Sequence, residues 1–356
     1  MILAINVGST TLKLVLDKMD GASPKASTLP LEIHDHRELY SDEGFSRLAK
    51  RLQERIGRFL RQHHAGPEKL RLVVARGGLQ KPGPAAVFQI NEAMCEDLSS
   101  GRYGRHPSSL GPLLAFTLAR DNQIAAYTMD PPSTDEFAPP ARFSGLPEIK
   151  RRCAFHALSH KAAGRRAATI LEKDYEACSL VVAHMGGGIT IGAHLNGRVV
   201  DCTNGLSEGP FTPERTGSLP TLELCALVAE RQLNFDAIKQ MLVGNGGLKA
   251  YLGTNNGLEI EARIKQGDQP AREVFEALSY QIAKEVGAMA TVLQGACDAV
   301  VLTGGLAKSQ FLLDNLRPRI SFLGRILVFP EDEEMRSLCE RGREILAQRL
   351  PITSYA

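Results

Sequence analysis

The sequence predicts an α/β fold in two domains, and three stretches carry the prediction. Val181 to Val200 reads VVAHMGGGITIGAHLNGRVV: an apolar run into His184 and Met185, then Gly186, Gly187 and Gly188, then an alternating run closed by Asn196-Gly197. That is strand, glycine loop, strand, hairpin turn. Ile2 to Asp17, ILAINVGSTTLKLVLD, follows the same plan with a polar turn in place of the triple glycine. Ala299 to Ser309, AVVLTGGLAKS, runs from an apolar strand through Gly304 and Gly305 into a helix start. Glycine at such strand ends lets backbone N–H groups converge on an anion. Singly, each stretch reads equally as an ordinary hairpin or strand end. The repetition points to a phosphorylated ligand.

Composition narrows the class. With 356 residues, 43% of them apolar, the chain can bury two cores. A net charge of +2, with no basic stretch interleaved with aromatics, speaks against a nucleic-acid partner. No apolar run is long enough to span a membrane, and the opening MILAINVGS reads as a strand, not a secretory leader. Seven dispersed cysteines without a CxxC pair suggest reduced thiols and a cytoplasmic setting.

In chain order, the first turn gathers Asn6, Gly8, Ser9, Thr10 and Thr11, with Lys13 on the opposite face from Leu12 and Leu14. Hydroxyls, an amide and one lysine suit a polyphosphate. No GxxxxGK[ST] occurs, so this is not a P-loop. Phe45, Leu48, Leu52, Ile56, Phe59 and Leu60 have helical spacing over Phe45 to His63. Leu70 to Ala75 is a strand running into Arg76, whose guanidinium fork suits an oxyanion or, equally, a surface loop. Short helices are expected at Asn91 to Leu98 and Ser109 to Asp121, then a strand at Ile124 to Met129. Asp130 ends that strand before Pro131, as a site carboxylate or as a turn-former. The Pro- and Gly-rich segment Pro131 to Pro147 marks a domain boundary.

Phe155 to Lys173 is expected to be a helix with His156 and His160 four apart on one face. The spacing invites zinc, but no HExxH is present, and a histidine at a helix start also suits phosphate. Asp201 to Leu219 is too polar and too rich in Gly and Pro for a regular element, and reads as a site loop carrying Arg215. Helices follow at Leu222 to Arg231, Phe235 to Leu242 and Gln269 to Gly295. A last strand, Ile326 to Phe329, leads through the acidic turn PEDEE to a closing helix from Met335 to Gln348. The acids serve as a Mg²⁺ site through water or as helix N-terminal charges.

Taken together these motifs resemble the acetate and butyrate kinase (acetokinase) family. The resembling stretches are NVGSTTLK at Asn6 to Lys13, FHALSHK at Phe155 to Lys161, AHMGGG at Ala183 to Gly188, PERTGSLP at Pro213 to Pro220 and the final PEDEE. RFSGLPEI, AHMGGGITIGAH, EGPFTPER and YLGTN are similar to the butyrate kinase branch. The resemblance implies two duplicated actin-like (ribonuclease H-like) domains of the sugar kinase, Hsp70 and actin superfamily, with a nucleotide cleft between them. It implies residues 1–132 for the first domain, closed by the C-terminal helix at 334–356, and residues 133–333 for the second. It implies ATP-dependent phosphorylation of a short-chain fatty acid to an acyl phosphate and ADP, with Mg²⁺, in at least a homodimer. The remaining alternatives are a kinase for a hydroxyl acceptor such as a sugar, and an ATPase clamp of the actin or Hsp70 type.

Carried over by position, Asn6 and Glu333 match the magnesium ligands. Ser9, Thr10, Thr11 and Lys13 belong to the first nucleotide loop, and His184, Gly186, Gly187, Gly188, Gly304 and Gly305 to the ATP loops of the second half. Arg76 matches the arginine that holds the substrate carboxylate, Asp130 the active-site aspartate, and His156 and Arg215 the groups that stabilise the transition state. His106 and His160 match histidines near the site. Three departures stand out: Asn-Val-Gly-Ser replaces the Asn-Pro-Gly-Ser usual in butyrate kinases, Thr11 stands where acetate kinases have a serine, and Asn256-Gly257-Leu258 lacks the Asp-Phe-Arg of acetate kinases. A carboxylate acceptor is already ionised at neutral pH and needs no general base. The task is to bring two anions together, for which arginines, a histidine and Mg²⁺ are suited.

Overall fold

The computed structural model describes residues 1–8, 11–19, 23–31, 41–331 and 333–356. Ser9 and Thr10, expected in the first nucleotide loop, therefore lie outside the described residues, as does Asp332 of the acidic turn.

The chain begins with strands β1 (Ile2–Val7), β2 (Thr11–Asp17) and β3 (Lys25–Pro30), then helix α1 (Asp42–Gln62), β4 (Leu72–Arg76), β5 (Val87–Gln89), helices α2 (Glu92–Ser100) and α3 (Leu110–Asp121), and β6 (Ala125–Met129). Next come α4 (Ala157–Ile170), β7 (Ser179–Met185), β8 (Ile189–Leu195) and β9 (Arg198–Cys202). Helices α5 (Thr221–Glu230), α6 (Phe235–Leu242), α7 (Gly247–Leu252), α8 (Gly257–Lys265) and α9 (Gln269–Val292) follow. The chain closes with β10 (Ala299–Thr303), α10 (Gln310–Ile320), β11 (Arg325–Phe329), α11 (Glu333–Leu346) and β12 (Ile352–Thr353).

Two compact units result, one of residues 1–134 with 334–356, the other of residues 135–333. The first holds a seven-stranded sheet in the order β12-β5-β6-β4-β1-β2-β3. Strands β1, β4 and β6 run parallel at its centre, and β2 turns back antiparallel on β1. β1 is buried throughout and β2 alternates at its start, so Lys13 faces away from Leu12 and Leu14 as its period of two requires. Helix α1 turns the stripe of Phe45, Leu48, Leu52, Ile56, Phe59 and Leu60 into the core, and Ser41 caps its first turn by accepting from Gly44 N–H.

The second unit holds a five-stranded sheet in the order β11-β10-β7-β8-β9. Here β7, β10 and β11 are parallel, and β7 and β8 form the glycine-tipped hairpin. The 24-residue helix α9 packs on β7 and β8 through Phe275, Leu278, Ile282, Val286 and Met289, and α4 packs on β7 and β10. In both units a parallel core ends at one carboxyl edge. The α/β fold class expected from the sequence is the one found. Among the described residues, no helix is long and apolar enough to cross a membrane.

Candidate active site

In the first unit, Arg76 pairs in register with Met129, and Ala75 pairs with both Ile5 and Thr128. Asn6, Arg76 and Asp130 therefore sit at the same edge of the sheet, the last one residue beyond β6. Glycine at 77 permits this crowding, since a Cβ there would lie 2.5 Å from the Cβ of Pro131. Asp130 is buried and held at φ 44°, a conformation that aspartate tolerates better than most residues. Strain of this kind collects at functional sites. Lys13 lies opposite Asn6 in the β1–β2 pairing. Gly8 N–H donates to Thr11 O at 2.8 Å.

Asn6 Nδ2 donates to Glu334 Oε2 at 2.6 Å, while Asn6 Oδ1 is buried and has no hydrogen-bond partner among the described residues. Arg76 Nη1 lies 3.8 Å from the same Glu334 oxygen, and its Nε–H is likewise buried and unpaired among the described residues. An amide oxygen beside a carboxylate is a donor pair that fits a hard divalent cation such as Mg²⁺, which keeps several waters and takes its remaining ligands from phosphate. Among the described residues no cluster of three or more His, Cys, Asp or Glu stands ready for a metal.

The resemblance assigned the metal to Glu333, but the structure brings the next residue to Asn6. Glu333 is instead bound by Arg166 at 2.5 Å, with Glu331 on the same guanidinium at 2.9 Å. The reason is helical geometry: residues 333 and 334 open α11, and consecutive helical side chains point about 100° apart, so the two carboxylates face different partners.

In the second unit, Thr303 pairs with His184, so Gly304 and Gly305 follow the end of β10 beside the glycine loop that follows β7. Gly304 has φ 91°, and a Cβ there would lie 2.6 Å from Met185 O, so only glycine fits. His156 sits at the N-terminus of α4 and stacks on His184 with ring centroids 4.1 Å apart. His184 Nδ1 lies 2.7 Å from Ser159 Oγ.

Arg215 reaches the same place from the long polar loop. A Cβ on Gly188 would lie 2.5 Å from Arg215 Nη1 and 3.2 Å from His156 Cε1. Gly188 is thus where the guanidinium, the imidazole and the loop backbone converge. Burial works to lower the Arg215 guanidinium from its ordinary value, against the neighbouring charge of Glu214, and it remains a cation at neutral pH. Its Nη1 donates to Gly205 O. Thr212 holds the arrangement from within: its hydroxyl donates to Gly187 O at 3.0 Å and accepts from Arg215 N–H at 3.1 Å.

The two matched histidines outside these sets have other surroundings. His106 caps a short turn, accepting from Ser108 N–H at 3.1 Å. His160 is wholly buried, with Nδ1 against His194 and Nε2 against Thr190, so neither ring nitrogen is turned to a metal. The sequence reading named Glu334 only as part of the acidic turn, and it missed Thr212, Thr190, His194 and Tyr175. Of these only Glu334 had a signal, the adjacent pair of acids. The others are ordinary residues whose partners are brought together by the fold.

The model of the acetokinase family matches residues 127–349, more than half of the chain. Among solved structures, the chain is similar to acetate kinase from Porphyromonas gingivalis, with a TM-score of 0.77 and 20% identity over 97% of this chain and 99% of that one. It is similar to a propionate kinase from Francisella tularensis subsp. tularensis SCHU S4, with a TM-score of 0.71 and 19% identity over 94% and 97%. It is also similar to acetate kinase from Entamoeba histolytica, with a TM-score of 0.72 and 16% identity over 96% and 98%. At such identities the likeness speaks for the fold alone.

Proposed function

The chain belongs to the acetokinase family, and from that premise we propose that it transfers the γ-phosphoryl group of ATP reversibly to a short-chain fatty acid, butyrate or a branched relative, giving an acyl phosphate and ADP. The observation that carries this reading is the convergence of Arg215 and His156 on Gly188, within a glycine loop at the end of a parallel strand. A loop of bare backbone N–H groups suits phosphate, and a cation beside a ring N–H suits the charge that builds on a phosphoryl group in flight.

The roles follow from charge. Arg215 and His156 stabilise the equatorial phosphoryl oxygens. Arg76 holds the carboxylate of the acceptor, and its Nε–H, unpaired among the described residues, is a donor in reserve for that anion. In the first unit Lys13, Thr11, Ser9 and Thr10 are the candidate nucleotide-binding residues, and in the second unit Gly186, Gly187, Gly188, Gly304 and Gly305. Asn6 and Glu334 supply oxygens to Mg²⁺, which, when bound, neutralises phosphate charge. No residue is needed to deprotonate the acceptor. Asp130 ends the neighbouring strand at the same sheet edge, where its charge either positions Mg²⁺ or keeps the arginines in register.

The preference for butyrate rests on the wording of the sequence motifs and on the missing Asp-Phe-Arg at Asn256-Gly257-Leu258. We further propose a homodimer or higher oligomer in the cytoplasm. Its support is α5, in which no residue is buried although seven of its ten residues are apolar, Leu222 being 81% exposed. Seven cysteines without a disulfide are in keeping with a reducing compartment.

The test is acyl-phosphate formation from ATP and Mg²⁺, trapped with hydroxylamine, over acids from formate to hexanoate, including branched ones. A maximum at butyrate or isobutyrate is expected. A maximum at acetate would keep the reaction and move the preference. ATP hydrolysis without any acyl phosphate would overturn the proposal.

A further inference from the structure

Behind His156 lies a row of polar side chains that the transfer reaction does not itself use. Tyr175 Oη lies 2.7 Å from His194 Nδ1. His194 Nε2 lies 3.2 Å from His160 Nδ1. His160 Nε2 lies 2.9 Å from Thr190 Oγ1 and 3.2 Å from Thr190 O. Thr190 Oγ1 in turn lies 2.9 Å from His156 Nδ1. The four supporting residues come from the turn before β7, from β8 and from α4, and His160, His194 and Thr190 are wholly buried.

We propose that Tyr175, His194, His160 and Thr190 form a directed hydrogen-bond relay that fixes His156 with its proton on Nε2, making that nitrogen the donor His156 offers to the moving phosphoryl group. These four are positioning residues, and the kinetic part of the inference rests on the function proposed above.

The direction of the relay follows from one contact. A row of neutral imidazoles and hydroxyls satisfies itself equally well run either way. Burial keeps His160 neutral, and the cation of Lys161, next in sequence, opposes a second charge. A neutral imidazole has a single N–H. His160 Nε2 faces the carbonyl oxygen of Thr190, which only accepts, so the N–H is on Nε2. Nδ1 of His160 is then an acceptor, and His194 donates to it from Nε2. His194, also held neutral by burial, accepts on Nδ1 from the Tyr175 hydroxyl. On the other side, Thr190 Oγ1 receives the His160 proton and turns its own toward His156 Nδ1. An imidazole that accepts on Nδ1 carries its proton on Nε2.

The surroundings hold this order. Lys161 is buried and fixed by Glu136 at 2.7 Å and by Gly197 O at 2.7 Å, so its charge has a fixed place beside the two histidines. A Cβ on Gly164 would lie 3.3 Å from His194 Nδ1 and 2.6 Å from the Tyr175 ring, so glycine there makes room for the far end of the relay. The consequence is a donor set before substrate arrives, with no reorganisation needed during transfer.

The test uses the full chain labelled with ¹⁵N in the histidine rings, with His156 signals identified by their loss in His156→Gln. Above neutral pH and without substrate, His156 is expected to show a protonated Nε2 and a bare Nδ1. Thr190→Val keeps the shape and removes the hydroxyl. It is expected to mix the two tautomers and lower kcat roughly tenfold to a hundredfold while leaving KM for the carboxylate within about twofold. Thr190→Ser is expected to restore both. A proton on Nδ1 in the parent chain, or unchanged His156 signals in Thr190→Val, would overturn the relay. Because the spectra need no substrate, a chain with Nε2–H that makes no acyl phosphate supports the relay and sinks the reaction. A chain that makes acyl phosphate with Nδ1–H does the reverse.

Discussion

Asn6 donates to Glu334 at 2.6 Å across 328 residues of chain, joining the end of the first strand to the first turn of α11. The contact satisfies the amide N–H and leaves the amide oxygen, Oδ1, unpaired among the described residues. A buried acceptor without a partner is costly, and a cation would satisfy it. Glu334→Gln is therefore expected to raise the Mg²⁺ concentration for half-maximal activity by roughly tenfold or more. Glu333→Gln, which loosens the contact with Arg166, should move it little. Mg²⁺ titrations of both variants decide between them. A larger shift in Glu333→Gln would favour the carboxylate named by the sequence resemblance.

The convergence at Gly188 makes a prediction about rate. Arg215→Ala should lower kcat on the order of a hundredfold to a thousandfold, as loss of an electrostatic donor does elsewhere. Arg215→Lys should recover only part of it, because a lysine cannot reproduce the planar fork. Thr212→Val, which removes the hydroxyl tying Gly187 O to Arg215 N–H, should fall between the parent and Arg215→Ala. Losses below about tenfold in all three would place the chemistry elsewhere.

The buried histidines predict a pH dependence of stability. Burial pushes His160 down to about 3, with the charges of His184 and Lys161 adding to it. His194 is lowered well below its ordinary value by burial first, then by His160, Lys161 and Arg165. Unfolded, both titrate near 6.5. Between these limits the unfolded chain binds more protons, so stability rises with pH there and is lost as pH falls below about 6.5. The slope approaches about 1.4 kcal/mol per pH unit for each ring. Asp17 acts lower down. Burial works to raise it, but the hydrogen bond from Arg343 and other contacts outweigh that, so its share is lost only below about pH 4. Urea unfolding between pH 7.5 and 5 should show the steep fall, and His160→Gln with His194→Gln should flatten it. An equal slope in the double variant would rule the two rings out.

Much of the fold was legible because burial writes a period into the chain. The stripe predicted from Phe45 to Leu60 is the buried face of α1, and the helix expected at Phe235 to Leu242 has those bounds. The strands that were missed carry little apolar signal. β3 is KASTLP, mostly exposed at a sheet edge, and β5 and β12 are three and two residues long. Edge strands such as β3 and β12, and a strand as short as β5, owe their place to a neighbour's backbone more than to their own side chains. Site residues were legible where chemistry selects rare patterns, as in three adjacent glycines. Thr190 and Tyr175 were not, because a hydroxyl acquires a role only from what the fold sets opposite it. Glu333 and Glu334 show the limit: adjacent acids look alike in sequence, and the turn of a helix separates them.

Helix α5 is apolar along most of its length yet has no buried residue. Leu222 is 81% exposed, and Phe235, which opens α6, is 77% exposed. Single exposed apolar residues are ordinary, but a ten-residue helix of this composition with none buried is not. Covering it by a second copy would remove from water an area that contributes about 25 cal/mol for each Å² of apolar surface. Leu222→Glu would place a carboxylate in that interface and leave the separate chain intact, since the site faces solvent there. Sedimentation should show a dimer for the parent and a monomer for Leu222→Glu, with unchanged unfolding of the separated chain. A parent that sediments as a monomer at micromolar concentration would refute the dimer, and a variant that stays dimeric would move the interface away from α5.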